Sequence, residues 1–175
     1  FANATYNTCP GGTTGYSDYT NLAPANLMQG YTYNVTVQAD YFGEGYAVWI
    51  DANDDGIFND ATEKVGSTNG TIAGSGAYGV LSAPFTFPIT LTCGSPLGQH
   101  RMRVRCVYAT SGASITACGA ATWGEVEDYV VNFIAGPTIV PVATSITGPS
   151  TGICSPAGYN NVLSYNVTPG YTGLI

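Results

Sequence analysis

Five of the chain's eleven acidic residues, Asp51, Asp54, Asp55, Asp60 and Glu63, fall in one short stretch. Only 9% of all residues are charged, so this clustering is not a by-product of composition. Carboxylates this dense repel one another unless positive charge sits among them. The spacing Asp51-x-Asn53-x-Asp55-Gly56 puts side-chain oxygens at positions 1, 3 and 5 of a loop and a glycine at its sharp turn. That is the front half of a calcium loop. In this reading Asp51, Asn53 and Asp55 hold one Ca2+, the Ile57 carbonyl adds an oxygen, and Asp60 and Glu63 supply the rest. The loop is not an EF-hand: its twelfth position is Thr62, and no amphipathic helix leads into it. A bare polar turn is the competing reading, because Asp-Asp-Gly is good hairpin chemistry. A turn alone does not require so many carboxylates, which favours the ion.

The three arginines form a second feature. Arg101, Arg103 and Arg105 alternate with Met102, Val104 and Cys106. On a strand the arginines share one face and the apolar set the other, which is assigned to the core. Glu125, Glu127 and Asp128 make up the acidic cluster outside the loop. Cross-strand pairing of these glutamates with the arginines, in a structural charge ladder, is the expected arrangement. An acid/base role for Glu125 and Glu127 is the catalytic alternative, and three available arginines argue against it.

These groups are carried by strands. YTYNVTVQA at 31–39, YAVWI at 46–50, residues 83–92, residues 100–108 and EVEDYVVNFI at 125–134 read as strands. Gly-, Ser- and Asn-rich stretches separate them, and residues 1–21, 66–79 and 109–123 read as loops. The expected fold is all-β, an antiparallel, jelly-roll-like β-sandwich with long Gly-rich loops.

Hydrophobic content of 45% indicates a packed core. A net charge of −7 with four basic residues excludes a nucleic-acid partner, which would require a basic face. No apolar run reaches membrane-spanning length. Cys9, Cys93, Cys106, Cys118 and Cys154 lack metal-type CxxC spacing and favour disulfides in an oxidising compartment. At Gly136-Pro137 the composition turns rich in Pro, Thr and Ser, so residues 1–135 form one domain and 136–175 a linker with an incomplete module. The tail contains β-prone pieces at 138–142 and 162–167, too few strands to close a core.

Four motifs in order carry a resemblance: WIDANDDGIF from Trp49, RMRVR from Arg101, Cys118-Gly119, and GEVEDY from Gly124. The chain resembles the GEVED domain over roughly residues 5–134. Its tail is similar to the opening of a PKD- or Ig-like module. The resemblance implies a large secreted or cell-surface bacterial protein, with type IX secretion as its export route. It also suggests a Cys9–Cys118 disulfide, which leaves Cys93–Cys106, with a local Cys106–Cys118 bond as the rival. No catalysis is expected: the chain has one histidine and neither GxSxG nor HExxH. The expected function is a calcium- and disulfide-stabilised module of an adhesin or filament, outside the cell. Its partners would be other modules or copies of itself. The alternatives are a carbohydrate-binding accessory domain and a fibre subunit that donates its tail.

Overall fold

The structure is a computed structural model that describes residues 15–39, 43–74, 76, 80–119, 121 and 123–136, with the backbone of short strands at 146–147 and 164–165. Expectations for Cys9, Cys154 and the tail piece at 138–142 lie outside the described residues, and of the piece at 162–167 only 164–165 are described. The strands are β1 (Tyr16–Asp18), β2 (Ala25–Met28), β3 (Thr32–Val37), β4 (Glu44–Asp51), β5 (Lys64–Ser67), β6 (Phe85–Thr90), β7 (Gly98–Tyr108), β8 (Gly124–Ile134), β9 (Ile146–Thr147) and β10 (Ser164–Tyr165). A short 3-10 turn spans Gly112–Ser114. β9 and β10 pair antiparallel with each other.

β4 is the centre of the molecule. Seven of its eight residues are buried, because Tyr46, Val48 and Ile50 face one side while Ala47 and Trp49 face the other. A strand covered on both faces reads as a continuous apolar run, as YAVWI does. Its neighbours are β5 and β7, both antiparallel, and β7 in turn pairs with β8. The far edge of β8 takes β1 along its first half and β2 along its second, both parallel. β3 and β6 form a separate antiparallel pair.

The β3–β6 pair packs on the inner face of the large sheet. Phe87 and Ile89 meet Tyr46, Val48, Val104 and Cys106, with Tyr33, Val35 and Val37 against them. A second cluster, Leu27, Ile50, Leu91, Val131 and Phe133, extends this core. Each such side chain contributes about 1.5–3 kcal/mol on burial. The outer face is covered differently. Ala47 and Trp49 are sealed by Ile115 and Ala117 of the loop after β7, with Phe58 and Val107 at the margin.

The all-β sandwich is as expected, with two differences. The large sheet is mixed where an antiparallel one was expected: β1 and β2 join β8 in parallel. Parallel pairing between distant segments leaves no alternation to read in three- and four-residue strands. β5, with sequence KVGS, also runs two residues into the loop expected at 66–79; its partner β4 selects it, not its own propensity.

Gly124 opens β8 at φ 153°, a conformation that favours glycine. A Cβ there would sit 2.3 Å from the Cys106 carbonyl oxygen. Gly124→Ala is expected to destabilise the fold by about 1–3 kcal/mol, measured by urea denaturation. An unchanged midpoint would show that β7 and β8 can separate there without cost.

Candidate functional site

The acidic loop leaves β4 at Asp51 and returns through Glu63 to β5. Its turn is built from side chains that accept backbone N–H bonds. Asp51 Oδ1 accepts from Asp55 N (3.2 Å) and Oδ2 from Gly56 N (3.0 Å). Asn53 Oδ1 accepts from Asp55 N (3.0 Å), and Asp55 Oδ1 from Ile57 N (2.8 Å). Gly56 sits at φ 83° and Asp54 at φ 56°, the left-handed positions that close the turn. Glu63 Oε2 accepts from Asn59 N (2.8 Å), and Ile50 N donates to the Glu63 carbonyl (3.0 Å), fastening the loop's end back onto its start.

Asp51 is fully buried and Glu63 is 6% exposed. Among the described residues neither has a cation within ion-pair distance. Arg101 is Asp51's neighbour in register, but its guanidinium reaches Asp18 instead, at 3.6 Å. Burial raises the Asp51 carboxyl above its ordinary value, and Asp55 and Asp54 raise it further against the backbone N–H bonds. Glu63 is likewise raised, first by burial and then by Asp51 and Asp55. So Asp51, Asp55 and Glu63 share one electrostatic environment, and all three are acids. Each accepts only some of the four bonds a carboxylate can take, which leaves oxygen lone pairs for an ion. Asp51, Asp55 and Glu63, with Asn53 adjoining, are oxygen donors of the class that a hard cation takes. Among the described residues no three Asp, Glu, His or Cys side chains converge on a single point. The carboxylates are held by backbone donors around the turn.

The other expected ligands are placed otherwise. Asp60 Oδ1 accepts from Trp49 Nε1 (2.9 Å) and Ala117 N (2.7 Å). It ties the acidic loop to the outer cover of the sheet. The Ile57 side chain is exposed. Asp54 was not expected to have a role; its Oδ1 lies 3.1 Å from Nδ1 of buried His100, whose Nε2 is 2.8 Å from the Pro96 carbonyl oxygen. Lys64, the chain's sole lysine, donates to the carbonyls of Gly112 (3.1 Å), Ala113 (2.9 Å) and Ile115 (2.7 Å), with the Trp49 ring 5.3 Å away. Its rarity was the available signal. Lys64→Met should leave the Ala113 and Ile115 carbonyls without this donor and cost about 1–3 kcal/mol, read from chemical denaturation. A loss within error would mean water replaces the ammonium.

The charge ladder is partly as expected. β7 and β8 are antiparallel neighbours, and the arginines share a face. Their partner is not a glutamate. In register, Arg103 faces Asp128, whereas Glu127 faces Val104 and Glu125 faces Cys106. The glutamates therefore point to the inner face, opposite the arginines; across β7 and β8 the expected Arg–Glu pairing is replaced by the Arg103–Asp128 pair. Arg103 Nε donates to Asp128 Oδ1 (2.8 Å) and Nη2 to Oδ2 (2.9 Å), with both residues almost fully buried. Tyr16 adds a hydroxyl to Asp128 Oδ2 at 3.2 Å, and the Phe58 ring lies 4.6 Å from the guanidinium. Arg105 donates to the carbonyls of Thr116 (2.7 Å) and Gly119 (2.6 Å), organising the Cys118-Gly119 turn. Glu127 accepts from the Tyr129 hydroxyl at 2.8 Å.

Cys106 is a free, buried thiol, which corrects both the Cys93–Cys106 bond and its Cys106–Cys118 rival. It lies on the inner face, as its alternation with the arginines requires, whereas Cys93 is in an exposed turn after β6. Among the described residues no disulfide joins two cysteines; the expected Cys9–Cys118 bond falls on Cys9, outside them.

The GEVED domain family model matches residues 45–132, half of the chain. The match runs from β4 into β8 and so takes in the acidic loop, the arginine strand and the Gly124–Asp128 motif. The chain belongs to the GEVED domain family. No curated protein matches it. Among the described residues no helix is long and apolar enough to cross a membrane.

Proposed function

We propose that this chain is a non-catalytic, calcium-stabilised module of a secreted or cell-surface bacterial adhesin or filament. The observation that carries the calcium reading is the burial of Asp51 and Glu63, whose carboxyls are raised by burial and by neighbouring carboxylates. Buried carboxylates without a counter-charge are costly, and a hard divalent cation removes that cost. The non-catalytic reading is supported by the commitment of the motif residues to structural bonds. Asp128 holds Arg103, Arg105 holds two carbonyls, and Asp60 holds Trp49.

Extracellular placement by type IX secretion follows from what the GEVED resemblance implies and from the cysteine usage. A Cys9–Cys118 bond would then anchor the N-terminal segment beside the Arg105-organised turn. Carbohydrate binding and tail donation to a neighbouring copy are the remaining roles such a module could serve. A PKD- or Ig-like module following residue 136 fits the composition of the tail.

Limited proteolysis tests the calcium reading. Calcium should protect the 51–63 loop from cleavage and chelation should expose it. Equal cleavage in both conditions would contradict the proposal.

A further inference from the structure

The inner face of the large sheet does not end with its apolar core. Toward the start of β4 and the end of β7 it continues as Glu44 and Tyr46, then Cys106 and Tyr108, then Glu125 on β8. Glu44 is opposite Tyr108, Tyr46 opposite Cys106, and Cys106 opposite Glu125, so strand alternation puts all five on one face. They line a cavity of about 820 Å³, within the size range of small-ligand sites. Trp123 forms part of the wall. Its ring is 68% exposed and meets Tyr108 edge-on, with centroids 6.0 Å apart.

The chemistry of this wall is one-sided. No lysine, arginine or histidine lines it. Lys64 is held by the 112–115 carbonyls, and the three arginines alternate onto the opposite face of β7. Two of the lining donors are committed: the Gln38 amide to the Ser82 carbonyl, and the Tyr46 hydroxyl to the Gln38 carbonyl and Glu44 Oε2. The local field is negative. The Cys106 thiol is pushed up to about 12, first by burial and then by Glu44, with Glu125 and Glu127 adding to it. An aromatic wall with two carboxylate acceptors and no cationic side chain suits a ligand that is cationic.

We propose that this cavity binds the head of an organic cation, an alkylammonium or guanidinium group. Glu44 and Glu125 accept its N–H bonds and the Trp123 ring covers it. A lysine or arginine side chain of another protein and a free amine present the same chemistry.

The full chain, in calcium-containing buffer, is titrated with butylammonium and with arginine amide while tryptophan emission is followed. Trp49 is fully buried, so the change reports on Trp123. Saturable binding is expected, with affinity reduced at least tenfold in the E44Q/E125Q variant and several-fold in Trp123→Ala. Tighter binding of lysine- or arginine-containing peptides than of the free amines assigns the ligand to a protein; equal binding assigns it to a small amine. Three results would overturn the proposal: saturation by N-acetylglucosamine but not by the amines, no saturation by either, or unchanged amine affinity in the glutamine variant. If that variant fails to fold, Trp123→Ala decides, because its exposed ring can be removed without opening the core. Unchanged affinity there overturns the proposal equally.

Discussion

Asp128→Ala should destabilise the fold by about 3–5 kcal/mol, because it strands the Arg103 guanidinium in the interior. Arg103 is 1% exposed and Asp128 fully buried, so water cannot take over the lost bonds. Two of the guanidinium's N–H groups and the Tyr16 hydroxyl lose their acceptor together. Arg103→Met should cost a similar amount by leaving the carboxylate stranded. The double variant Arg103→Met with Asp128→Leu should recover much of the loss, since a buried pair contributes little over a well-packed apolar one. Glu127→Ala removes only a bond to the Tyr129 hydroxyl and should cost about 1 kcal/mol. Urea denaturation of these variants checks the whole set. A neutral Asp128→Ala would mean that the guanidinium reaches water, and it would deny the motif its structural role.

Calcium should raise the melting temperature, and by more as the pH rises. Asp51 and Glu63 have raised folded pKa values, above their ordinary 3.8 and 4.5. A raised folded value means that the metal-free fold holds the proton more tightly than the unfolded chain does. The stability these two groups contribute is therefore fully present below their unfolded values and lost as pH climbs through the folded ones. Above that window the metal-free loop carries ionised carboxylates in a buried place. Calcium competes with protons for the same oxygens, so its effect should be small near pH 4 and large at neutrality. At a hundredfold excess over Kd the ion adds about 2.7 kcal/mol, which corresponds to roughly 5–10 °C in Tm. Thermal melts with calcium and with a chelator across this pH range test the sign. A calcium increment that is independent of pH would exclude Asp51 and Glu63 as ligands.

Much of this arrangement is legible in the sequence because it depends on local periodicity. The alternation in RMRVRC places the arginines on one face and Cys106 in the core, and the structure agrees. Cys106 is buried there while Cys93 lies in an exposed turn, and the two are not joined. The choice of acid for Arg103 was not legible, because it depends on register. A one-residue difference between Glu127 and Asp128 sends one side chain inward and the other to the arginines. The role of Asp60 was hidden for a related reason. Its partners, Trp49 Nε1 and Ala117 N, come from segments that only the folded sheet brings together. The cavity residues Glu44, Tyr108 and Trp123 carry no motif; three strands in register assemble them.

The central claim is that the 51–63 loop is a calcium site, and calorimetric titration of calcium into chelator-treated protein at neutral pH tests it most directly. The account predicts a single-ion isotherm with release of protons, lost when Asp51 and Glu63 are replaced by asparagine and glutamine. No heat at millimolar calcium, or an unchanged isotherm in the double variant, would contradict it.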